Sequence, residues 1–278
     1  MRRGLRVFSI IVFIFLYIPM LMLIVGSFSD SSDLAMFGRF TFGNYSELFR
    51  DGTLLRLLLN SLIVAVLSSG LSTLLGTLAA VGIHSMSRRR KRLVLSITNI
   101  PLTNPEIVTG VSLALLFAFI GQLLKMKAIL GFFTLLIAHI TFNLPYVILS
   151  VMPKLSQMNP NLHEAALDLG CTPAQSFRKV ILPEIMPGVI SGALMAFTMS
   201  LDDFVISYFV YGPSFITLPV EIYNYTKKPL PPKIYALFTL LFIIILLIMS
   251  GMNLLQARDQ RRSGEKNGLG RRILNRLS

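Results

Sequence analysis

Charge is scarce in this 278-residue chain: Asp, Glu, Lys and Arg together make up 14% of it, against 54% hydrophobic residues and a mean hydropathy of +0.69. Soluble domains do not have that composition, and the chain reads as an integral membrane protein. Cysteine is nearly absent, and the single Cys171 excludes both an intrachain disulfide framework and a cysteine-rich metal site. Histidine is sparse as well; His84, His139 and His163 lie far apart in sequence and read first as structural or surface residues. Neither a GxxxxGKS/T run nor a GxGxxG turn occurs, so the chain carries no recognisable nucleotide cradle of its own. Acids are few, 13 against 26 Lys and Arg, and the resulting net charge of +13 must be read by location.

What is abundant is long apolar sequence. A helix needs about 20 residues to cross a bilayer, and six stretches qualify: roughly 7–27, 57–83, 93–124, 128–152, 188–210 and 234–256. The first follows Arg2, Arg3 and Arg6 but is too long for a signal-peptide core and lacks a clear cleavage site, so it is expected to stay as an anchor. Six spans put both termini on one side. The tails and loops on that side hold 18 of the 26 basic residues, which makes it the cytoplasmic side of the membrane. The run Arg88, Arg89, Arg90, Lys91, Arg92 is then a topology anchor that also suits anionic lipid, and nucleic acid is not expected as a partner. Span three is longer than the bilayer requires, and Pro101 and Pro105 offer the places to break it. Lys228 to Lys233 reads as a stiff extracytoplasmic connector, and 257–278 as a basic cytoplasmic tail.

The loop 153–187 is long and patterned. Asn161 is placed to cap a helix through Asp168, and Gly170 to end it in the left-handed conformation. Thr172, Pro173 and Gln175 match a second N-cap, a first-turn proline and the far member of a capping box; that helix is expected to run to about Leu182 and stop at Pro183. Two short helices on a Gly turn make a cytoplasmic docking knob. Its residues Glu164, Ala165, Ala166, Gly170, Leu182 and Pro183, with Pro187 and Gly192 beyond, resemble the EAA motif of the inner-membrane permeases of ABC importers. The resemblance implies a coupling loop that sits in a cleft of a separate ATPase. Ala165 and Ala166 permit close approach there, and Glu164 supplies a charge.

Ionisable residues inside spans are functional candidates. Three acids and no bases qualify: Glu106, Asp202 and Asp203. By rise per residue, Glu106 and Asp202 both lie roughly 20 Å from the cytoplasmic face. On an unbroken fifth helix Ser200, Asp203, Ser207 and Tyr211 form one polar stripe, which makes Asp203 the expected pathway-facing carboxylate and leaves Asp202 to a neighbouring helix or to substrate. Carboxylates in low dielectric favour a cation, and Phe204, Tyr208 and Tyr211 can add cation–π contacts. His139 and Asn143, one turn apart in span four, suit either the pathway or packing.

The stretch 200–223, together with 104–108 and 138–151, is similar to the second permease subunit of the spermidine/putrescine importers over nearly the whole chain, with Pro231 and Pro232 as departures. That resemblance implies an all-α membrane protein of six transmembrane helices with the type I ABC importer permease fold, and a non-catalytic subunit. Its implied partners are a sister permease, two ABC ATPase subunits that use ATP and Mg, an extracytoplasmic polyamine-binding protein and membrane lipid; no cofactor is bound by this chain itself. Two other readings stand beside it: an ABC permease for an Fe(III) complex, oxyanion or sugar, and a secondary transporter in which Glu106 and Asp203 relay protons. Intramembrane acids without matching bases oppose the anions, and the cytoplasmic knob opposes the carrier.

Overall fold

A computed structural model describes residues 2–31, 38–126, 129–225, 230–247 and 250. The basic tail, Lys127, Lys228, Pro229 and the end of the sixth expected span lie outside them. Among the described residues the chain is helical: α1 (Arg2–Gly26), α2 (Gly43–Arg50), α3 (Gly52–His84), α4 (Arg88–Thr103), α5 (Glu106–Leu123), α6 (Phe132–Gln157), α7 (Asn161–Asp168), α8 (Pro173–Ser176), α9 (Leu182–Leu201), α10 (Val205–Val210), α11 (Leu218–Tyr225) and α12 (Pro232–Leu247). Five helical stretches are long and apolar enough to cross a membrane: Phe8–Gly26, Gly52–His84, Glu106–Leu123, Phe132–Gln157 and Pro173–Leu201. The expectation of six such spans is met only that far, because the described part of α12 is shorter.

Two compact units make up the chain. One comprises residues 1–52 and 225–278. Within it the apolar side chains Phe8 to Met22 of α1 are exposed, a surface suited to lipid or to another subunit. After α1 the backbone turns under the Asn44 amide, which donates to the carbonyls of Ser27 and Ser29 at 2.8 and 2.7 Å. Lys233 at the start of α12 donates to Asp51 at 2.8 Å.

The second unit, residues 53–224, is built around α6. Val147, Ile148, Val151, Met152 and Leu155 of α6 meet Ala80 and Ile83 of α3 and Ile181, Ile185 and Ala196 from the α9 side in one buried cluster. Backbones approach closely there: a Cβ on Gly188 would lie 2.8 Å from Lys154 Cγ and 2.9 Å from the Ser150 carbonyl oxygen, too near for any larger residue. Phe117, Leu135, Ala138, Phe142, Ile206 and Val210 form a second cluster that joins α5, α6 and α10.

Two expected breaks resolve differently. The third span does divide, at Asn104 and Pro105: Asn104 is extended, as a residue before proline must be, and α5 starts directly after Pro105. Pro101 lies inside α4. Pro183, by contrast, does not end a helix. Residues Phe177–Ile181 widen into a π turn, in which the Leu182 N–H donates to the Phe177 carbonyl, and α9 continues past Pro183 in its first turn. The extra residue in the π turn takes up the missing N–H, so chain that was expected to be loop becomes the foot of the fifth span.

Candidate functional site

The fifth span, expected to be continuous through residue 210, is interrupted. α9 ends at Leu201 and α10 begins at Val205, leaving Asp202, Asp203 and Phe204 between two helix ends. A helix start inside apolar surroundings exposes backbone donors that need acceptors. Asp203 supplies them: its Oδ1 accepts from Ile206 N–H at 3.2 Å and its Oδ2 from Ser207 N–H at 2.7 Å. His139 of α6 closes the arrangement, with Nε2 2.9 Å from Ser207 Oγ and 3.4 Å from Asp203 Oδ2, and Nδ1 2.6 Å from Ser200 Oγ. Ser68 of α3 donates to Ser200 at 2.9 Å. All five side chains are buried. Asp203 and Ser207 therefore sit inside the unit, and the expected open stripe of Ser200, Asp203, Ser207 and Tyr211 is largely internal. Asn143, one turn along α6 from His139, is also fully buried, and among the described residues its amide has no hydrogen-bond partner.

Asp202 is the exposed member of the pair. Beyond the break the rings of Phe204, Tyr208 and Tyr223 form an aromatic wall. Phe204 and Tyr223 are 4.6 Å apart between centroids, Phe204 and Tyr208 5.4 Å, and Tyr208 and Tyr223 5.7 Å. Tyr211 lies 6.2 Å from Tyr208, and both Tyr208 and Tyr223 present open ring surface. Glu106 is exposed at the first turn of α5. One turn further, Gly110 packs so closely on α10 that a Cβ would lie 2.9 Å from the Phe209 ring. The helices carrying Glu106 and following Asp202 are thus locked side by side.

The knob of the 153–187 loop follows its C-terminal and second N-terminal signals but not the first: Asn161 is the first residue of α7, preceded by Pro160, and its side chain makes no cap hydrogen bond. α7 spans Asn161–Asp168, and Gly170 has φ +84°, with Gly170 N–H donating to Leu167 O and Cys171 N–H to Ala166 O at 2.9 and 3.0 Å. Those two bonds are a Schellman ending, for which glycine is the natural residue. Thr172 and Gln175 exchange side-chain to backbone hydrogen bonds at 3.0 and 3.3 Å. Glu164 and Ala165 face outward, whereas Ala166 is buried against the chain itself and offers no surface for approach. Leu182 is half-buried and Pro183 exposed.

Sequence reasoning missed several residues here. Tyr223 belongs to another helix, and only the fold brings it to Phe204. His163 pins α7 to α8 through Ser176 Oγ at 2.8 Å. Leu169, at the tip of the Gly turn, is 87% exposed and stands out from the knob. That exposure is not legible in the sequence, where Leu169 looks like one more helix-end leucine.

Comparison with protein families matches residues 72–264 to the binding-protein-dependent transport system inner membrane components. Among curated proteins, the spermidine/putrescine transport system permease protein PotC of Escherichia coli K12 is 38% identical over 253 residues, covering 91% of this chain and 93% of that protein. The putrescine transport system permease protein PotI of the same strain is 39% identical over 231 residues, 82% of each chain. Among solved structures, a bacterial ABC transporter involved in the import of the acidic polysaccharide alginate superposes with a TM-score of 0.71, covering 90% of this chain and 93% of that one, at 17% identity.

Proposed function

This chain belongs to the binding-protein-dependent transport system inner membrane components, membrane-embedded and non-catalytic subunits of ABC importers, and from that premise we propose that its cargo is a polyamine. The observation that carries the reading is an exposed carboxylate, Asp202, two residues before Phe204, whose ring joins those of Tyr208 and Tyr223 in one wall. A polyamine is a flexible chain of ammonium groups separated by methylenes. It needs carboxylates for the charges and ring faces for the charges and methylenes together. Asp202 and Glu106 supply the first, and the tyrosines the second. The two Escherichia coli relatives, a spermidine/putrescine and a putrescine transport system permease, agree with this chemistry.

Asp203 serves differently. Its carboxylate is occupied by the first turn of α10 and by His139, so it holds the break that turns Asp202 outward. The expected partners follow from the same reading: a sister permease that completes the pathway, an extracytoplasmic binding protein that delivers the polyamine, and two ATPase subunits. The α7 and α8 knob, oriented to the cytoplasm together with both termini, docks on the ATPase through Glu164, Ala165 and Leu169. ATP and Mg are used there and not on this chain. Rigid attachment of the knob to the π turn and α9 gives ATPase motion a direct route to the break at residues 202–204.

The test is ATP-dependent uptake of labelled spermidine by the reconstituted complex. Competition by putrescine, with none by sugars, oxyanions or ferric chelates, is the expected result. Equal competition by any of those would assign another cargo.

A further inference from the structure

The five consecutive basic residues 88–92 do not act as one uniform patch. Lys91 turns back to α3, with Nζ 3.3 Å from His84 Nδ1. Arg88, Arg89 and Arg92 instead line a single open recess of about 420 Å³ at the start of α4. No acid lies in the first turn of α4, and among the described residues no ion pair involves any of the three arginines. Three guanidinium groups around one recess repel one another unless an anion sits between them.

Beyond the arginines the helix carries an exposed apolar stripe, which Arg89 shares and beside which Arg92 and Arg88 stand. Leu93, Ile97 and Ile100, at i, i+4 and i+7, are 63%, 57% and 52% exposed, and Arg89 stands one turn before Leu93 on that stripe. The opposite side of α4, Val94 and Leu95, packs against the bundle core. A recess that draws an anion, beside an uncovered aliphatic stripe, matches one molecule in the protein's surroundings, a phospholipid.

We propose that Arg88, Arg89 and Arg92 bind the headgroup phosphate of an anionic phospholipid whose acyl chain lies along Leu93, Ile97 and Ile100. Arginine suits the task, because its planar fork takes two phosphate oxygens at once. A topology signal alone needs positive charge beside a span and does not need three arginines gathered on one recess. The site is independent of the polyamine reading, since it uses none of its residues.

The test uses the full chain purified in neutral detergent and exposed to phosphatidylglycerol or phosphatidylcholine, with bound lipid counted by native mass spectrometry. Wild type should retain phosphatidylglycerol in preference. The triple change R88Q/R89Q/R92Q should cut that preference about tenfold or more, and R90Q should leave it intact. A triple Lys variant keeps the charge and loses the forks, so it should bind less phosphatidylglycerol than wild type while still preferring it to phosphatidylcholine; this variant serves if the Gln form folds poorly. Equal retention of both lipids by wild type, or undiminished preference in R88Q/R89Q/R92Q, overturns the proposal. So does complete displacement of phosphatidylglycerol by millimolar inorganic phosphate, which would show a free-anion site with no part for the apolar stripe. Unchanged lipid retention combined with lost co-purification of another subunit would assign the face to a protein and equally overturn it.

Discussion

Asp203 and His139 meet 3.4 Å apart at a helix break that their own hydrogen bonds hold open. The carboxylate takes the two N–H groups that the start of α10 leaves without partners, and the imidazole bridges Ser200 before the break to Ser207 after it. Removing Asp203 strands those donors in a buried site. Asp203→Ala and His139→Ala should each lower stability by roughly 1–3 kcal/mol, the range for a buried polar group deprived of its partner. The double variant should lose clearly less than the sum, because one network is broken twice. Thermal unfolding of the purified chain measures both, and additive losses would mean that the two side chains act separately.

Tyr223 completes the aromatic wall from α11. Tyr223→Ala should raise the KM for spermidine severalfold, in line with a cation–π contact of about 0.5–2 kcal/mol. Tyr223→Phe keeps the ring face and should stay near wild type. Uptake kinetics at several spermidine concentrations separate the two, and an equal loss in both variants would point to the hydroxyl instead of the ring.

Leu169 is 87% exposed and Glu164 lies outward on the preceding helix. Leu169→Asp and Glu164→Lys should leave folding of the isolated chain unchanged within about 0.5 kcal/mol, as surface substitutions do, yet reduce co-purification with the ATPase and uptake together. Wild-type coupling in both variants would remove the knob from the ATPase interface.

Gly170 holds φ +84°, which a side chain with a Cβ adopts only at a cost of about 1–2 kcal/mol. Gly170→Val should therefore fray the end of α7 and weaken ATPase association, whereas Gly170→Asn should be milder, since Asn tolerates this conformation. Limited proteolysis across residues 165–172 reads the difference; equal cleavage of the two variants would show that the turn conformation is not what holds the knob.

Local signals were the readable ones. Gly170, Thr172 and Gln175 carry end signals whose partners lie within a few positions, and these formed as read, whereas Asn161 is the first residue of α7 and not its cap, and the second helix does not stop at Pro183. The proline at 105 likewise set a break that its own chemistry demands. The break at residues 202–204 was not legible, because no proline or glycine marks it; it depends on His139, more than sixty residues earlier in the chain. An unbroken helix placed Asp203 outward and Asp202 aside, and the actual interruption exchanges their exposure. Pro183 misled for a related reason, since a π turn absorbs it without ending the helix. The aromatic wall needed α11 folded beside α10, a long-range pairing that no spacing in the sequence encodes.

The division of labour between the two adjacent acids is tested most directly by Asp202→Asn and Asp203→Asn, assayed side by side in the reconstituted complex for spermidine KM and for thermal stability. Asp202→Asn is expected to raise KM with assembly and unfolding temperature unchanged, and Asp203→Asn to lower the unfolding temperature, with uptake falling in proportion to the complex lost. The reverse pattern, a stable Asp203→Asn complex with raised KM beside an unaffected Asp202→Asn complex, would contradict it.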